Sequence, residues 1–204
     1  MHLYHESDLM YELMRIDSPP ALLQGLVQGL ISDTGICLLL TGLSGAGKST
    51  LAHSLERLLR EKNTPTVVLD GDVIRAGLCR DLGMSLADRQ ENARRVAEVA
   101  KILVESGVAV IVSMIAPSKQ SRMIMRDVVG IDAFREVYIS TPLAVCEQRD
   151  VKGLYQKARL GLLSNFTGLD SPYEPPESPV MVLDLSSGDV DYFAQGVISN
   201  VFEK

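Results

Sequence analysis

A chain of 204 residues, 46% hydrophobic and 23% charged, has the size of one ordinary domain with a core that needs no staples. Its net charge of -6 argues against general nucleic-acid binding, which calls for a basic surface, but leaves room for a local basic cleft that holds a small anion. Cys37, Cys79 and Cys146 are odd in number and lack metal-ligand spacing, so they read as buried free thiols of a reducing compartment.

The N-terminal stretch MHLYHESDLMYELMR has scattered acids and no uninterrupted apolar h-region, so neither a signal peptide nor a membrane anchor is expected there. No apolar run approaches the roughly 20 residues that span a bilayer, so a cytoplasmic protein without membrane contact is expected. Residues 1–34 read as a helical lead-in: Ala21 to Ile31 has helix-like apolar spacing, and Ser18–Pro20 supplies a break before it. GICLLLTG, Gly35 to Gly42, is a short buried strand. Lys48 to Lys62 is a helix with Leu51, Leu55, Leu58 and Leu59 on one face. A second strand covers Thr64–Asp72, a long amphipathic helix Leu86–Gly107, a third strand Val108–Pro117 and a fourth Phe134–Thr141. A helix over Pro142–Asp150 leads into Val151–Pro179, a polar stretch without periodicity. A fifth strand, Val180–Leu185, and a closing helix from Val190 complete the chain.

Strands that alternate with helices give an α/β fold with helices on both faces of a parallel sheet. The expected architecture is a P-loop NTPase-like three-layer sandwich around a mostly parallel five-stranded sheet. Residues 35–204 form the domain, and 151–179, long for a loop, is its lid.

GLSGAGKST, Gly42 to Thr50, satisfies the P-loop pattern between an apolar strand and an amphipathic helix. Glycines let the backbone of Gly42, Leu43, Ser44, Gly45, Ala46 and Gly47 wrap so that N–H groups face phosphate, and the following helix adds its positive end. Lys48 reaches the β- and γ-phosphates, and the Ser49 hydroxyl is a ligand for Mg²⁺. No NKxD motif marks a GTPase, and the third strand carries no Walker-B acid. The second strand instead ends in Asp70-Gly71-Asp72, at the edge of the sheet where ligands bind. Two carboxylates beside a γ-phosphate can serve as base for an acceptor hydroxyl and as support for the metal, the arrangement of a small-metabolite kinase.

Arg75, Arg80, Arg89, Arg94 and Arg95 crowd one stretch of an acidic protein. A solvated face paired with Glu91 and Glu98 accounts for Arg94 or Arg95. Arg75 lies three residues after Asp72 at the crevice mouth, and Arg89 and Asn92 share one helical face, so an anionic acceptor follows. The lid adds Lys152, Lys157 and Arg159, cations that can close over polyphosphate and exclude water. Phe166, the one phenylalanine there, either stacks on a purine or caps the core.

From about Gly35 to about Pro179 the chain resembles the adenylylsulfate kinase (APS kinase) family. The resemblance rests on GLSGAGKST, DGDVIRAGL, DLGMSLADRQENARRVAEVAK, SMIAP, RDVKGLYQKAR and FTGLDSPYE, in that order. It implies ATP-dependent phosphorylation of the 3′-hydroxyl of adenosine 5′-phosphosulfate (APS), with MgATP on Gly42–Thr50 and Arg149 near the ATP side. Asp70 would be the base and, with Ser49, a metal residue; Asp72 would support metal or substrate. Arg75, Arg89 and Asn92 would hold the phosphosulfate, Ile115 would add backbone, and Lys152 and Phe166 would close the lid, with Phe166 on the adenine. Three positions depart from the family: Val73 stands for Asn, Met84 for the Phe on the other adenine face, and Ala116 for a Ser proposed as phospho-acceptor in some members. With Ala116, transfer has to be direct and in line. These changes keep two alternatives open: a kinase of another nucleotide or small anionic metabolite, and a non-catalytic module paired with an ATP sulfurylase. Oligomeric state is open, a homodimer included.

Overall fold

The structure, a computed structural model, describes residues 35–203; the helical lead-in expected over 1–34 lies outside them. Five strands form one sheet in the order β2-β3-β1-β4-β5: β1 (Cys37–Gly42), β2 (Thr66–Asp70), β3 (Ala109–Ser113), β4 (Phe134–Ile139) and β5 (Met181–Leu183). Every pairing is parallel, a stricter arrangement than the mostly parallel sheet expected. The central strand shows why: CLLLTG is buried along its whole length, as a strand covered on both faces must be.

The period of two splits β1 between two cores. Leu38 and Leu40 face Leu51, Leu55 and Leu59 of α1 (Lys48–Glu61) and Ala194, Val197 and Ile198 of the last helix, α7 (Val190–Val201). Cys37 and Leu39 face Ala93, Val96, Ala97 and Ala100 of α3 (Leu86–Glu105) and Met125 of α4 (Lys119–Val129). The result is the three-layer sandwich, with α1 and α7 covering one face of the sheet and α3 and α4 the other. Ser85 fixes where α3 begins through a capping box, its hydroxyl accepting from Asp88 N–H at 3.1 Å. Cys37, Cys79 and Cys146 are buried and free, as their spacing implies.

Three helices go beyond the sequence reading. The first, α2 (Gly71–Ala76), starts directly from the end of β2. The second, α4, is capped by Ser118 and ends at Gly130, which takes a φ of +100°. The third, α6 (Leu154–Arg159), follows α5 (Leu143–Arg149) and lies inside the stretch expected to be irregular. The Asp150 carboxylate starts α6 by accepting from the N–H groups of Tyr155 and Gln156, each at 3.0 Å.

Candidate active site

A cleft of about 630 Å³ opens at the C-terminal edge of the sheet, between the P-loop, the ends of β2 and β3, the start of α3 and the segment after α6. Gly42, Gly45 and Gly47 all have positive φ, and a Cβ on Gly42 would lie 2.4 Å from the Ile139 carbonyl oxygen. Only glycine fits that approach.

Each carbonyl from Gly42 to Ala46 is held by a side chain. Lys48 Nζ donates to Gly42 O at 3.0 Å and to Leu43 O at 2.6 Å. The Tyr155 hydroxyl of α6 donates to Ser44 O at 2.9 Å, and Thr141 Oγ1 to Ala46 O at 2.9 Å. Arg149 donates to Gly45 O at 3.4 Å and also to Leu185 O at 2.6 Å. Because a trans peptide puts N–H opposite C=O, anchoring the carbonyls fixes where the amides point, and Ala46 N–H turns back to Leu43 O at 3.3 Å. The helix that follows has no side-chain cap at Gly47, which leaves its positive end open to an anion. Lys48 is 8% exposed, and desolvation lowers its pKa to about 8.

Ser49 and Asp70 meet as the sequence suggests: Ser49 Oγ donates to Asp70 Oδ2 at 2.8 Å. The other carboxylate oxygen of Asp70 accepts from Asp72 N–H at 2.9 Å, which fixes the rotamer and starts α2. Ser113, which the sequence reading passed over, completes this corner. It stands in register with Asp70 across the β2–β3 pair, and its hydroxyl lies 3.3 Å from that of Ser49. Its sequence signal is a polar residue at the end of an otherwise apolar strand, VAVIVS, without the acid that marks a Walker-B strand.

On the far side of the corner, Asp72 is ion-paired with Lys152 of the lid. Arg75 donates to Gly83 O at 3.1 Å. Arg89 forks into the lid, donating to Thr167 Oγ1 at 2.9 Å and Asn165 O at 2.6 Å, while its Nε donates to Met84 O at 3.1 Å. Burial, and then the neighbouring Arg75 charge, lower the Arg89 pKa: two guanidinium groups face one space. Asn92 is 2% exposed, and its Oδ1 has no hydrogen-bond partner among the described residues, although the residue lines the cleft. A buried acceptor of that kind calls for a donor from water or a ligand. Ile115 lines the same wall, with its carbonyl taken by Thr41 Oγ1 at 2.6 Å.

Phe166 belongs to the core cluster. It packs edge-on against Tyr155, centroids 4.9 Å apart, and it also lines the cleft. Met84 and Ala116 line the cleft too; Val73, 71% exposed, is not part of its wall. Thr50 lines the cleft beside Ser49. Three of the cations sit elsewhere: Arg94 pairs with Glu91 and Glu98, Arg95 with Asp81 and Glu91, and Arg159 with Glu147.

The Arg89 fork predicts a lid property independent of catalysis. Arg89→Ala removes the donors to Asn165 and Thr167 and should loosen the segment. Trypsin cleavage after Arg159 should then speed up several-fold, as local opening costs less. An unchanged digestion rate would mean that the lid is held by other contacts.

Residues 34–184 match the family model described as adenylylsulphate kinase. A curated adenylyl-sulfate kinase of Pseudomonas aeruginosa is 54% identical over 160 residues, 78% of this chain and 82% of its own length. An APS kinase of Mycobacterium tuberculosis, solved in complex with AMPPNP and APS, superposes with a TM-score of 0.80 at 46% identity, over 85% of this chain and all of that one. A hexameric APS kinase from Thiobacillus denitrificans has a TM-score of 0.62 at 28% identity, covering 91% of this chain and 33% of its own. With the P-loop and the DGD corner placed as described, and with the family match extending over most of the chain, this protein belongs to the adenylylsulphate kinase family.

Proposed function

We propose that this protein transfers the γ-phosphoryl group of ATP to the 3′-hydroxyl of adenosine 5′-phosphosulfate. The observation that carries this reading is one continuous cleft. It joins the P-loop and the Ser49–Asp70 corner to a pocket bearing Arg75, Arg89, Asn92 and Phe166. The M. tuberculosis relative, which holds AMPPNP and APS together, supports that pairing of ligands.

In this reading the ATP phosphates lie on the amides of Gly42–Thr50, and Arg149 stands beside the nucleotide. Lys48, protonated once phosphate lies against it, balances charge that develops as the phosphoryl group leaves. The oxygen donors Ser49 Oγ and Asp70 Oδ2, 2.8 Å apart, suit Mg²⁺, a hard cation held through one or two protein oxygens plus phosphate. Such a metal supplies charge neutralisation of the phosphates. Asp70 is also the base: its carboxylate stands at the boundary of the two half-sites, where it can take the acceptor hydroxyl's proton. The phosphosulfate lies against Arg75 and Arg89, a planar fork suited to tetrahedral anions, with Asn92 Oδ1 accepting a donor of the acceptor. The adenine lies between Phe166 and Met84, whose thioether can pack on a ring. Lys152, drawn to Asp72, keeps the lid down and water out. Most of the rate would come from positioning and fixed electrostatics. A cytoplasmic setting, homodimer formation and supply of the acceptor by an ATP sulfurylase belong to the same reading; among the described residues, no helix is long and apolar enough to cross a membrane.

A second acceptor class is favoured by one observation. Met84 and Ala116, where the family has Phe and Ser, both lie in the cleft wall, while Val73 does not. ADP release with MgATP separates the readings. Turnover with adenosine 5′-phosphosulfate and little with adenosine 5′-monophosphate is expected. Absence of turnover with the phosphosulfate, with ATP binding intact, would move the assignment to another anionic alcohol.

A further inference from the structure

Behind the acceptor wall, and outside the cleft, lies a buried charge. Arg122, on α4, has a side chain only 5% exposed. Its Nε lies 2.7 Å from Oε1 of Glu136 on β4, an ion contact off the hydrogen-bond axis. Its Nη1 donates to Ala116 O at 2.9 Å, and its guanidinium carbon stands 6.0 Å from the centre of the Tyr173 ring. Burial raises the Glu136 pKa and the Arg122 charge opposes the rise, as expected for a pair held away from water.

The carbonyls of three successive residues are held by three separate parts of the chain. Thr41 Oγ1 of β1 donates to Ile115 O at 2.6 Å and exchanges a 2.9 Å hydrogen bond with the Tyr173 hydroxyl. Arg122 takes Ala116 O, and Glu174 N–H donates to Pro117 O at 2.8 Å. Ile115, Ala116 and Pro117 all line the cleft. Ala116 has a φ of +43°, a left-handed conformation that alanine avoids. The following Pro117 disfavours the right-handed helical region for it, so an unclamped Ala116 would relax to extended backbone and carry the wall with it.

We propose that Arg122 is a positioning residue for the acceptor. Braced on Glu136, it holds Ala116 in the left-handed conformation and thereby fixes the Ile115–Pro117 wall. The identity of the acceptor rests on the function proposed above; the clamp itself does not. The residue never reaches the cleft, so it acts on substrate through the backbone it holds.

The test uses Arg122→Lys, Glu136→Gln and the double variant Arg122→Lys with Ala116→Gly. Lysine keeps the charge beside Glu136 but lacks the fork that reaches both partners. In Arg122→Lys, KM for adenosine 5′-phosphosulfate should rise about tenfold, the scale of one hydrogen bond to a charged group, with KM for ATP within about twofold. Glu136→Gln should lower Tm but leave the acceptor KM in place, because the bond to Ala116 survives. Glycine accepts a left-handed φ freely, so Ala116→Gly in the lysine background should restore most of the acceptor KM. Equal shifts in Arg122→Lys and Glu136→Gln, or no restoration by glycine, would overturn the clamp and leave Arg122 a stability residue. If the wild type does not turn over this acceptor, the functional reading falls separately. The clamp is then judged from a crystal structure of Arg122→Lys, and a φ at Ala116 unchanged from +43° would sink it.

Discussion

Asp70→Asn should lower kcat by about 10²–10⁴-fold, the usual contribution of a positioned general base, while ATP affinity measured without metal stays near wild type. Asparagine is nearly isosteric, and one side-chain oxygen can still accept from Asp72 N–H, a bond that now measures 2.9 Å. The start of α2 should therefore survive, and Tm should change little. The variant loses the charge beside Ser49 and the capacity to take a proton. Steady-state turnover with MgATP and adenosine 5′-phosphosulfate, paired with calorimetric titration of ATP, reads both quantities. Unchanged turnover would remove Asp70 from the mechanism, and lost ATP affinity in the absence of metal would reassign it to nucleotide binding.

The second large effect belongs to Lys48. Its ammonium is almost fully buried and bonded to the carbonyls of its own loop, at 3.0 Å to Gly42 and 2.6 Å to Leu43. Desolvation is the main reason that its pKa lies at about 8, below the usual lysine value. Triphosphate beside it supplies the missing counter-charge and raises that pKa. At about pH 9 the free protein holds Lys48 mostly neutral, so ATP binding should take up close to one proton. Affinity should fall with pH above about 8, by at most tenfold per unit, and flatten below it. Calorimetry in two buffers of different ionisation enthalpy counts the proton. The same shift acts on stability: between about 8 and the unfolded pKa near 10.5 the folded chain binds fewer protons, so this group's contribution rises with pH across that window. Lys48→Met should abolish the uptake and lower turnover about 10²–10³-fold, the cost of one preorganised donor at the reacting centre. Proton uptake that persists in Lys48→Met would belong to another group.

The residues that were legible in the sequence are those whose task is local. Gly42, Gly45 and Gly47 are needed where they stand because no other residue fits those φ values, and Lys48 and Ser49 follow at fixed spacing on the first turn of a helix. Arg89 and Asn92 were placed by a three-residue spacing on one helix, which α3 reproduces. The strands were legible because a buried parallel strand is an unbroken apolar run, as β1 and β3 are. Illegible features depend on distant partners. The six residues of α6 are too few for periodicity to register; it is held by Asp150 at its start and by Tyr155 reaching Ser44 across 111 positions. Helix α4 opens on polar residues, and its buried face, Ser121, Arg122, Met125 and Val129, is half polar, so no apolar stripe marks it in the sequence. Arg122 looks like surface charge until Glu136 and Tyr173 arrive from other elements. Among the three departures from the family, only their position in space separates Met84 and Ala116, in the wall, from Val73 outside it.

In the proposed reaction one cleft brings the γ-phosphate of ATP to the 3′-hydroxyl of adenosine 5′-phosphosulfate. Phosphorus NMR of the product formed with MgATP tests it most directly, because a phosphate ester couples to the proton on the carbon that bears it. A new phosphomonoester signal coupled to the ribose H3′ is expected, with the phosphosulfate linkage intact. A phosphate coupled to any other ribose proton, or ADP released without a new ester, would contradict it.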